Sequence, residues 1–83
     1  MYYLYILKCQ DNTLYTGIAT NINRRIDEHN SSDKGAKYTK TRRPVVLVYS
    51  KEYKDRSMAS KREYEIKKMS RQKKLSLIDD QKT

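Results

Sequence analysis

The stretch YYLYILKCQDNTLYTGI, residues 2–18, decides the fold because it reads as two strands joined by a short polar turn. Residues 2–9 are apolar on both faces of the strand except at Lys8, which is typical of a central strand that is covered on both sides. The turn at residues 10–12 is too short for a crossover, so the second strand, residues 13–18, must run antiparallel to the first. The stretch therefore predicts a hairpin whose first strand lies at the centre of a small sheet.

Two tyrosines of this hairpin, Tyr5 and Tyr15, can serve one site only if they project from the same face of the sheet. That register requires directly opposed residues whose numbers sum to an even value, such as Cys9 with Thr13. A three-residue turn provides it, with Asn12 in the left-handed conformation that asparagine tolerates. A two-residue turn would place the tyrosines on opposite faces.

Residues outside the hairpin predict one further strand and about three helices. Pro44 fixes the entry to a run of β-branched and aromatic residues, 45–53, which predicts the third strand. Helices are expected over residues 22–30, opened by Thr20 or Asn21, from an N-cap at Asp55 or Ser57 to about Met69, and over a short segment from Ser70. The prediction is an α+β fold in one domain, residues 1–78, with a three-stranded antiparallel sheet flanked by about three helices and a flexible tail at residues 79–83.

The charge balance favours a polyanionic partner. The 83 residues include 19 Lys and Arg against 10 Asp and Glu, a net charge of +9, and the sequence pI is about 9.7. Each cation set against a phosphate releases condensed counterions, so such an excess is typical of nucleic-acid-binding domains. The alternatives are a solubility device and a surface for acidic lipid, and tyrosines interleaved with the basic residues favour nucleic acid.

The single cysteine and the N-terminus indicate a cytoplasmic protein. Cys9 is the only cysteine, so an intramolecular disulfide is impossible and nothing indicates an oxidising compartment. The N-terminus lacks the basic region and cleavage site of a signal peptide, and no apolar run approaches the roughly 20 residues that span a bilayer. Cys9 ends an apolar strand and is interpreted as a filler of the core.

The first predicted helix carries two polar residues on its apolar stripe. Arg25 and His29 share this stripe with Ile22 and Ile26, while the other face carries Arg24, Asp27 and Glu28. A guanidinium on the sheet-facing side is costly unless an anion meets it, which makes Arg25 a candidate functional residue. The alternatives are that Arg25 reaches water at the helix edge or pairs with a carboxylate, and that His29 is a partner of the helix C-terminus.

The second long helix contains a candidate acidic residue. Glu63 lies beside the apolar stripe because it is three residues before Ile66. Glu65 is the alternative, since it lies on a second possible stripe with Met58 and Met69. Helical spacing favours Glu63, and Glu65 then becomes an exposed residue paired with a neighbouring cation.

Basic residues also cluster around one aromatic residue in the polar stretch 31–43. They are Lys34, Lys37, Lys40, Arg42 and Arg43, with Tyr38 among them. Backbone charge and base stacking act together when single-stranded nucleic acid is bound, so this pattern predicts a binding surface. A solvated charged loop is the alternative.

This ordered set of residues resembles the GIY-YIG nuclease domain, in particular the small single-domain bacterial proteins of the UPF0213 family. The resemblance rests on Tyr3-Leu4-Tyr5, on Tyr15-Thr16-Gly17, on Arg25 and His29 at the family's intervals from Tyr15, and on Glu63 in a late helix. Tyr3 and Leu4 stand where the name-giving motif has Gly and Ile, so only Tyr5 is carried over from the first tripeptide. Relatives in DNA repair carry a Lys or His directly after the glycine, where this chain has Ile18.

The resemblance implies a metal-dependent endonuclease whose catalytic residues are Tyr5, Tyr15, Arg25, His29 and Glu63. Glu63, four residues after Ala59, matches the family's metal-binding glutamate. Because no second acidic residue obviously converges on it, one Mg²⁺ or Mn²⁺ ion is expected. Single-stranded or branched DNA is the expected substrate, since so small a domain has no reading head for sequence. The alternative is a nucleic-acid-binding module without significant cleavage activity.

The resemblance also implies a division of roles. Arg25 would set a fixed positive charge against the phosphate, while Tyr5 and Tyr15 hold or deprotonate the attacking water. A phenol titrates at about pH 10, so a base at neutral pH requires a lowered pKa, which Arg25 and the metal are expected to supply. Gly17 is expected to let the phosphate backbone approach the strand closely.

Overall fold

The computed structural model describes residues 1–31 and 37–82. Its strands are β1 (Tyr2–Lys8), β2 (Leu14–Ala19) and β3 (Val46–Tyr53), and its helices are α1 (Ile22–Ser31), α2 (Lys37–Lys40), α3 (Arg56–Lys67) and α4 (Arg71–Lys82). The sheet is antiparallel with the order β2-β1-β3, which confirms the α+β fold and the central place predicted for β1. The short helix α2 lies in the polar stretch for which the sequence predicts no helix.

The hairpin has the register that brings the two motif tyrosines to one face. The Cys9 N–H donates to the Thr13 carbonyl and the Asn12 N–H donates to the Cys9 carbonyl, both at 2.9 Å, and Asn12 has a φ of 69°. Tyr5 consequently lies opposite Gly17, and Leu7 lies opposite Tyr15. The three-residue turn and the shared face are therefore confirmed.

Each face of the sheet carries a hydrophobic cluster, because β1 is apolar on both. Leu4 and Ile6 pack on one face against side chains of β3, α3 and α4, namely Tyr49, Ile66 and Ile78. Tyr5 and Leu7 pack on the other face, in a cluster completed by Cys9, Tyr15, Ala19, Ile22, Ile26 and Val45. Helix α1 therefore covers the face that carries both motif tyrosines. Cys9 is buried in this cluster, where desolvation raises the pKa of its thiol.

Two of the alternative capping residues are the ones used. The Asp55 carboxylate accepts a hydrogen bond from the Met58 N–H at 2.8 Å and caps α3. The Asn21 side chain accepts one from the Arg24 N–H at 3.1 Å and caps α1. Such a cap typically stabilises a helix by about 1 kcal/mol. These two caps fix where α1 and α3 begin. The starting point of each helix decides which of its side chains point toward the sheet, and both helices carry predicted site residues.

Helix α4 extends through the expected tail. Residues 79–82 belong to this helix, whereas the sequence predicts a flexible end from residue 79. The Gln81 side-chain amide accepts a hydrogen bond from the Ser50 N–H at 3.2 Å and donates one to the Ser50 carbonyl at 2.5 Å, which ties the end of α4 to the outer edge of β3. Within residues 1–31 and 37–82, each helix is too short or too polar to cross a membrane.

Candidate active site

The Tyr5 phenol is the centre of the candidate site. Tyr5 is 2% exposed, and its hydroxyl lies 3.0 Å from Nε2 of His29. Burial raises the pKa of Tyr5, a hydrogen bond from Arg25 opposes that rise, and the neighbouring Tyr15 and the carboxylate of Glu63 add to it. The structure therefore places Tyr5, Tyr15, Arg25 and His29 next to one another, from β1, β2 and α1. The charge of Glu63 reaches Tyr5 from α3.

His29 joins Tyr5 to Thr39, a residue for which the sequence predicts no role. His29 is fully buried, its Nδ1 lies 2.7 Å from Oγ1 of Thr39, and its ring packs edge-on against Tyr5 and Tyr15. Thr39 is fully buried as well. In the sequence, Thr39 stands in a polar run, which predicts no buried residue at this position. His29 lies in the last turn of α1, as the alternative of a partner for the helix C-terminus requires, but its ring is enclosed between Tyr5, Tyr15 and Thr39.

The surroundings of His29 keep its ring neutral. Burial is the largest factor, the positive charges of Arg25 and Arg43 act in the same direction, and Glu28 opposes them, so that the pKa falls to about 4. In the tautomer with its proton on Nδ1, the ring donates to Thr39 and accepts from the Tyr5 hydroxyl. The three side chains are then arranged to move a proton from Tyr5 to His29.

Because His29 is buried as a neutral ring, acid pH should destabilise the protein. The histidine pKa is about 6.5 in the unfolded chain and about 4 in the folded chain, so the stability that depends on neutral His29 is complete above about pH 6.5 and is lost as the pH falls toward 4. The free energy of unfolding, measured with urea, should fall by about 3 kcal/mol over that range. Since His29 is the only histidine, its ring proton NMR signals report its pKa directly. A midpoint near pH 6.5 in the folded protein would contradict the buried neutral ring.

Arg25 is partly buried and paired with Glu28. Its Nη1 lies 2.9 Å from Oε1 of Glu28, and the two side chains are 29% and 22% exposed. The sequence predicts that Glu28 points away from the sheet, but its carboxylate turns toward Arg25 and compensates a guanidinium that is partly removed from water. Arg25 also hydrogen-bonds to Tyr5. The alternative that Arg25 pairs with a carboxylate is thus present in the structure. The pair with Glu28 holds the guanidinium of Arg25 beside the Tyr5 phenol.

Of the two candidate glutamates on α3, Glu63 faces the site. The Glu63 side chain is 23% exposed and its charge acts on Tyr5, whereas the Glu65 side chain is 53% exposed. Glu65 pairs with Arg62 at 3.3 Å. Glu63 pairs with Lys67 on the next turn, with 3.4 Å between Oε2 and Nζ. Of the two glutamates, Glu63 is therefore the one that is partly buried and whose charge acts on the phenol.

The Glu63 carboxylate is a ligand of the kind that hard cations accept. Residues 1–31 and 37–82 contain no cluster of three or more His, Cys, Asp or Glu that could hold a metal. An ion at Glu63 would therefore have few protein ligands and would keep several waters, as Mg²⁺ does when it is shared with a substrate phosphate. Carboxylate oxygen is also a suitable ligand for Mn²⁺.

Residues 1–76, most of the chain, match the family model of the GIY-YIG catalytic domain. The chain belongs to the GIY-YIG family. Proteins with this domain are nucleases that typically depend on a divalent metal, and the domain indicates nucleic acid as a partner.

This GIY-YIG domain is similar over its length to UPF0213 proteins. It is 61% identical over 77 residues to one from Desulfotalea psychrophila, covering 93% of this chain and 70% of that protein. It is 60% identical over 79 residues to one from Staphylococcus haemolyticus, covering 95% of each. Two proteins solved by NMR in solution have the same fold. A UPF0213 protein of Bacillus halodurans is 45% identical with a TM-score of 0.61, and the match covers 95% of this chain and 84% of that one. A protein of E. faecalis is 40% identical with a TM-score of 0.64, and the match covers 99% of this chain and 88% of that one.

In this GIY-YIG domain, Gly17 makes room for Tyr5. A Cβ atom at position 17 would lie 2.6 Å from the Tyr5 hydroxyl oxygen and 2.8 Å from its Cζ. Both distances are well inside the optimal separation of about 3.5 Å for non-bonded atoms. The sequence predicts that Gly17 admits a phosphate backbone, but the buried ring of Tyr5 fills that space. Glycine is required here because it lets the phenol cross β2 and reach His29.

A Gly17→Ala substitution should therefore displace the Tyr5 hydroxyl from His29. We expect an overpacking cost of about 1–3 kcal/mol in the free energy of unfolding, because the ring is enclosed and cannot swing into solvent. The pKa of His29 should change at the same time, since one of its two hydroxyl partners moves. Urea denaturation and the histidine NMR signals measure the two effects. If neither quantity changes, the close approach between Tyr5 and Gly17 is not present in solution.

The arginines of the basic segment anchor it to the rest of the GIY-YIG domain. Nε of Arg42 lies 3.0 Å from Oδ2 of Asp11, and its Nη1 donates to the Tyr38 carbonyl at 2.8 Å. Nε of Arg43 donates to the His29 carbonyl at 2.5 Å, near the end of α1. The sequence predicts both arginines as nucleic-acid ligands, whereas these contacts engage their guanidinium groups within the chain.

The other predicted nucleic-acid ligands differ in what the structure describes. Lys34 lies outside the described residues, as does the side chain of Lys37, whereas Lys40 and Tyr38 are exposed. Further exposed cations lie on α3, at its C-cap and on α4, namely Arg56, Lys61, Lys67, Lys68, Arg71 and Lys73. The positive surface of the domain therefore extends well beyond the segment that the sequence singles out.

Proposed function

We propose that this protein is a divalent-metal-dependent endonuclease that hydrolyses DNA phosphodiester bonds, with single-stranded or branched DNA as its preferred substrate and one Mg²⁺ or Mn²⁺ ion. The observation that supports this most directly is the position of the Tyr5 phenol. It is buried against neutral His29 at 3.0 Å and is acted on by the charges of Arg25 and Glu63. A packed structural tyrosine does not require a proton acceptor, a fixed cation and an acidic side chain around one hydroxyl.

Tyr5 acts in this proposal as a proton relay. Burial raises its pKa, so the phenol is protonated at neutral pH, and the lowered pKa that the sequence leads us to expect is not the resting state. Tyr5 must then lose its own proton as it takes one from the attacking water. Nε2 of His29 is the acceptor within hydrogen-bond distance.

The substrate itself improves this acceptor. The positive charge of Arg25 is the second largest factor that lowers the pKa of His29, after burial. A phosphate bound by Arg25 would offset that charge, and the pKa of His29 would rise toward the value of an effective base. Proton transfer from Tyr5 to His29 would therefore be less unfavourable with a phosphate in place than in the free protein.

Thr39 is a positioning residue in this relay. In the tautomer with its proton on Nδ1, His29 donates a hydrogen bond to Oγ1 of Thr39, and Nε2 is then the acceptor that faces the Tyr5 hydroxyl. A Thr39→Val substitution should shift the ring toward the other tautomer and reduce cleavage about tenfold or more. Thr39→Ser keeps a hydroxyl at this position, so it should retain both the tautomer of His29 and the cleavage rate of the parent. Nitrogen chemical shifts of the single histidine report the tautomer, and a valine variant with unchanged shifts and cleavage would leave Thr39 with a packing role alone.

Glu63 would hold the metal. A divalent ion bound there supplies positive charge for the phosphate oxygens and for the leaving oxygen. Glu63 is partly buried and paired with Lys67 at 3.4 Å, so its carboxylate is held in one orientation in the free protein. The presence of Lys67 also gives the site a positive charge before any ion arrives.

A nucleic-acid-binding module without cleavage is the second candidate. Ile18 follows Gly17 where DNA-repair relatives carry a Lys or His, and the buried environment sets the pKa of His29 at about 4, far below that of Tyr5. Both features weaken proton transfer. The basic surface would remain fully useful for binding.

One assay distinguishes the two functions. Plasmid, single-stranded and branched DNA are incubated with the protein in Mg²⁺, Mn²⁺ or EDTA, beside Glu63→Ala and its matched control Glu65→Ala. The endonuclease should cut in metal, lose cutting in EDTA and in Glu63→Ala, and keep it in Glu65→Ala, because Glu65 is exposed on the same helix. Binding with no metal-dependent cutting of any substrate would support the second candidate.

A further inference from the structure

A column of flat groups leads from the buried site to the surface. The Tyr15 ring packs edge-on against His29 with centroids 5.3 Å apart, and it stacks on Tyr38 at 5.9 Å with only 25° between the ring planes. The Arg42 guanidinium lies over Tyr38, with its central carbon 4.1 Å from the ring centroid. Tyr38 is 38% exposed and the Arg42 side chain is 34% exposed. The outer end of the column therefore meets solvent next to the catalytic tyrosines.

The outer plane of this column is rigid and largely compensated in charge. Arg42 is held from two sides, by the Asp11 carboxylate at 3.0 Å and by the Tyr38 carbonyl at 2.8 Å. Nε and Nη1 are engaged within the chain and a carboxylate stands beside the guanidinium, so Arg42 is poorly suited to clamp a phosphate. A guanidinium held over a tyrosine ring is instead well suited to stacking, since nucleobases stack on both aromatic rings and arginine planes.

We propose that Tyr38 and Arg42 form a stacking platform for one unpaired nucleobase of the DNA strand that is cut, a proposal that rests on the proposed function. The base must be unpaired because both faces of a base inside a duplex are covered, and extruding it costs a few kcal/mol. The platform lies directly on Tyr15, so the base belongs to a nucleotide close to the phosphate that is attacked. This contact gives a domain without a reading head a preference for single-stranded or branched DNA.

Binding to single-stranded DNA that contains 2-aminopurine tests the platform. The measurement is made in EDTA, so it does not depend on cleavage. Tyr38→Leu should weaken binding about tenfold and abolish the quenching of 2-aminopurine fluorescence that stacking produces, with an unchanged salt dependence because no phosphate contact is removed. Tyr38→Phe should behave as the parent. Affinity for duplex DNA of the same sequence should be unaffected.

The chain offers a matched control in Tyr64. This tyrosine is 62% exposed on α3, and Nζ of Lys68 lies over its ring at the same 4.1 Å. Tyr64→Leu should leave quenching and affinity unchanged.

Arg42→Lys keeps the positive charge of residue 42 but removes its planar guanidinium. If Tyr38 and Arg42 form a stacking platform, this variant should lose the quenching of 2-aminopurine. If Arg42 instead clamps a phosphate, binding should be nearly unaffected. Equal losses in the Tyr38→Leu and Tyr64→Leu variants, or unquenched 2-aminopurine with the parent at every position of the strand, would overturn the platform even if the protein cuts DNA. Quenching without any metal-dependent cutting would support the platform and overturn only the nuclease.

Discussion

Tyr5→Phe should reduce metal-dependent DNA cleavage by about a thousandfold, within the range that is typical of removing a general acid or base. The phenyl ring keeps the shape of the side chain, so the packing against Gly17 and within the core of that face is preserved. What is lost is the hydroxyl that lies 3.0 Å from Nε2 of His29 and that, in the proposed relay, passes a proton from the attacking water to that nitrogen. Cleavage of single-stranded DNA under Mg²⁺, with binding measured separately in EDTA, gives the rate and the affinity.

The same substitution has a cost in stability that must be separated from its cost in rate. It leaves Nε2 of a fully buried histidine without its hydroxyl partner, which is worth about 1–3 kcal/mol of unfolding free energy. Tyr49→Phe is the matched control, because Tyr49 is a buried tyrosine in the cluster on the opposite face. It should cleave like the parent. If Tyr5→Phe remains folded and also cleaves like the parent, the phenol is not the relay and the buried pair is structural.

Much of this site could be predicted because it depends on local rules. The spacing of turn and strand fixes Tyr5 and Tyr15 on one face, since side chains alternate strictly along a strand. The helical period likewise places Arg25 and His29 on the side of α1 that faces the sheet, and His29 is indeed fully buried there. Each of these steps needs only the identity and the spacing of residues within one element or one tight turn.

The remaining features depend on contacts between segments that are distant in sequence. Thr39 meets His29, ten residues away, only after α2 folds back on α1, and a threonine in a polar run carries no signal for that contact. Arg42 pairs with Asp11, 31 residues earlier in the chain. A residue that the sequence predicts as a phosphate ligand therefore stabilises the fold. The pKa of Tyr5 could not be predicted either. The sequence shows the favourable charge of Arg25, whereas the larger effect is desolvation, which depends on how completely the ring is enclosed.

Arg25→Ala and Glu63→Gln should each slow cleavage at least about a hundredfold, because each removes a preorganised charge that acts on the phosphate or on the metal beside it. DNA affinity should change little, since one charge of a net +9 contributes little to binding by a broad basic surface. Glu63→Gln should also abolish the dependence on metal while the fold is kept. Helix α1 supplies a matched control in Arg24→Ala, because Arg24 is 71% exposed and contacts the same Glu28 at 3.9 Å.

The Arg25 prediction has a second readout that requires no catalysis. The positive charge of Arg25 lowers the pKa of His29, so Arg25→Ala should raise it, whereas Arg24→Ala should leave it where it is. The NMR titration of the single histidine thus tests whether the guanidinium lies beside the relay, and the cleavage assay tests whether that position matters for the reaction. A raised pKa with undiminished cleavage would place Arg25 at the relay but outside the chemistry. If Arg25→Ala and Glu63→Gln both cleave like the parent under Mg²⁺, any nuclease activity arises at another site or in a contaminant, and the binding module becomes the better account of this domain.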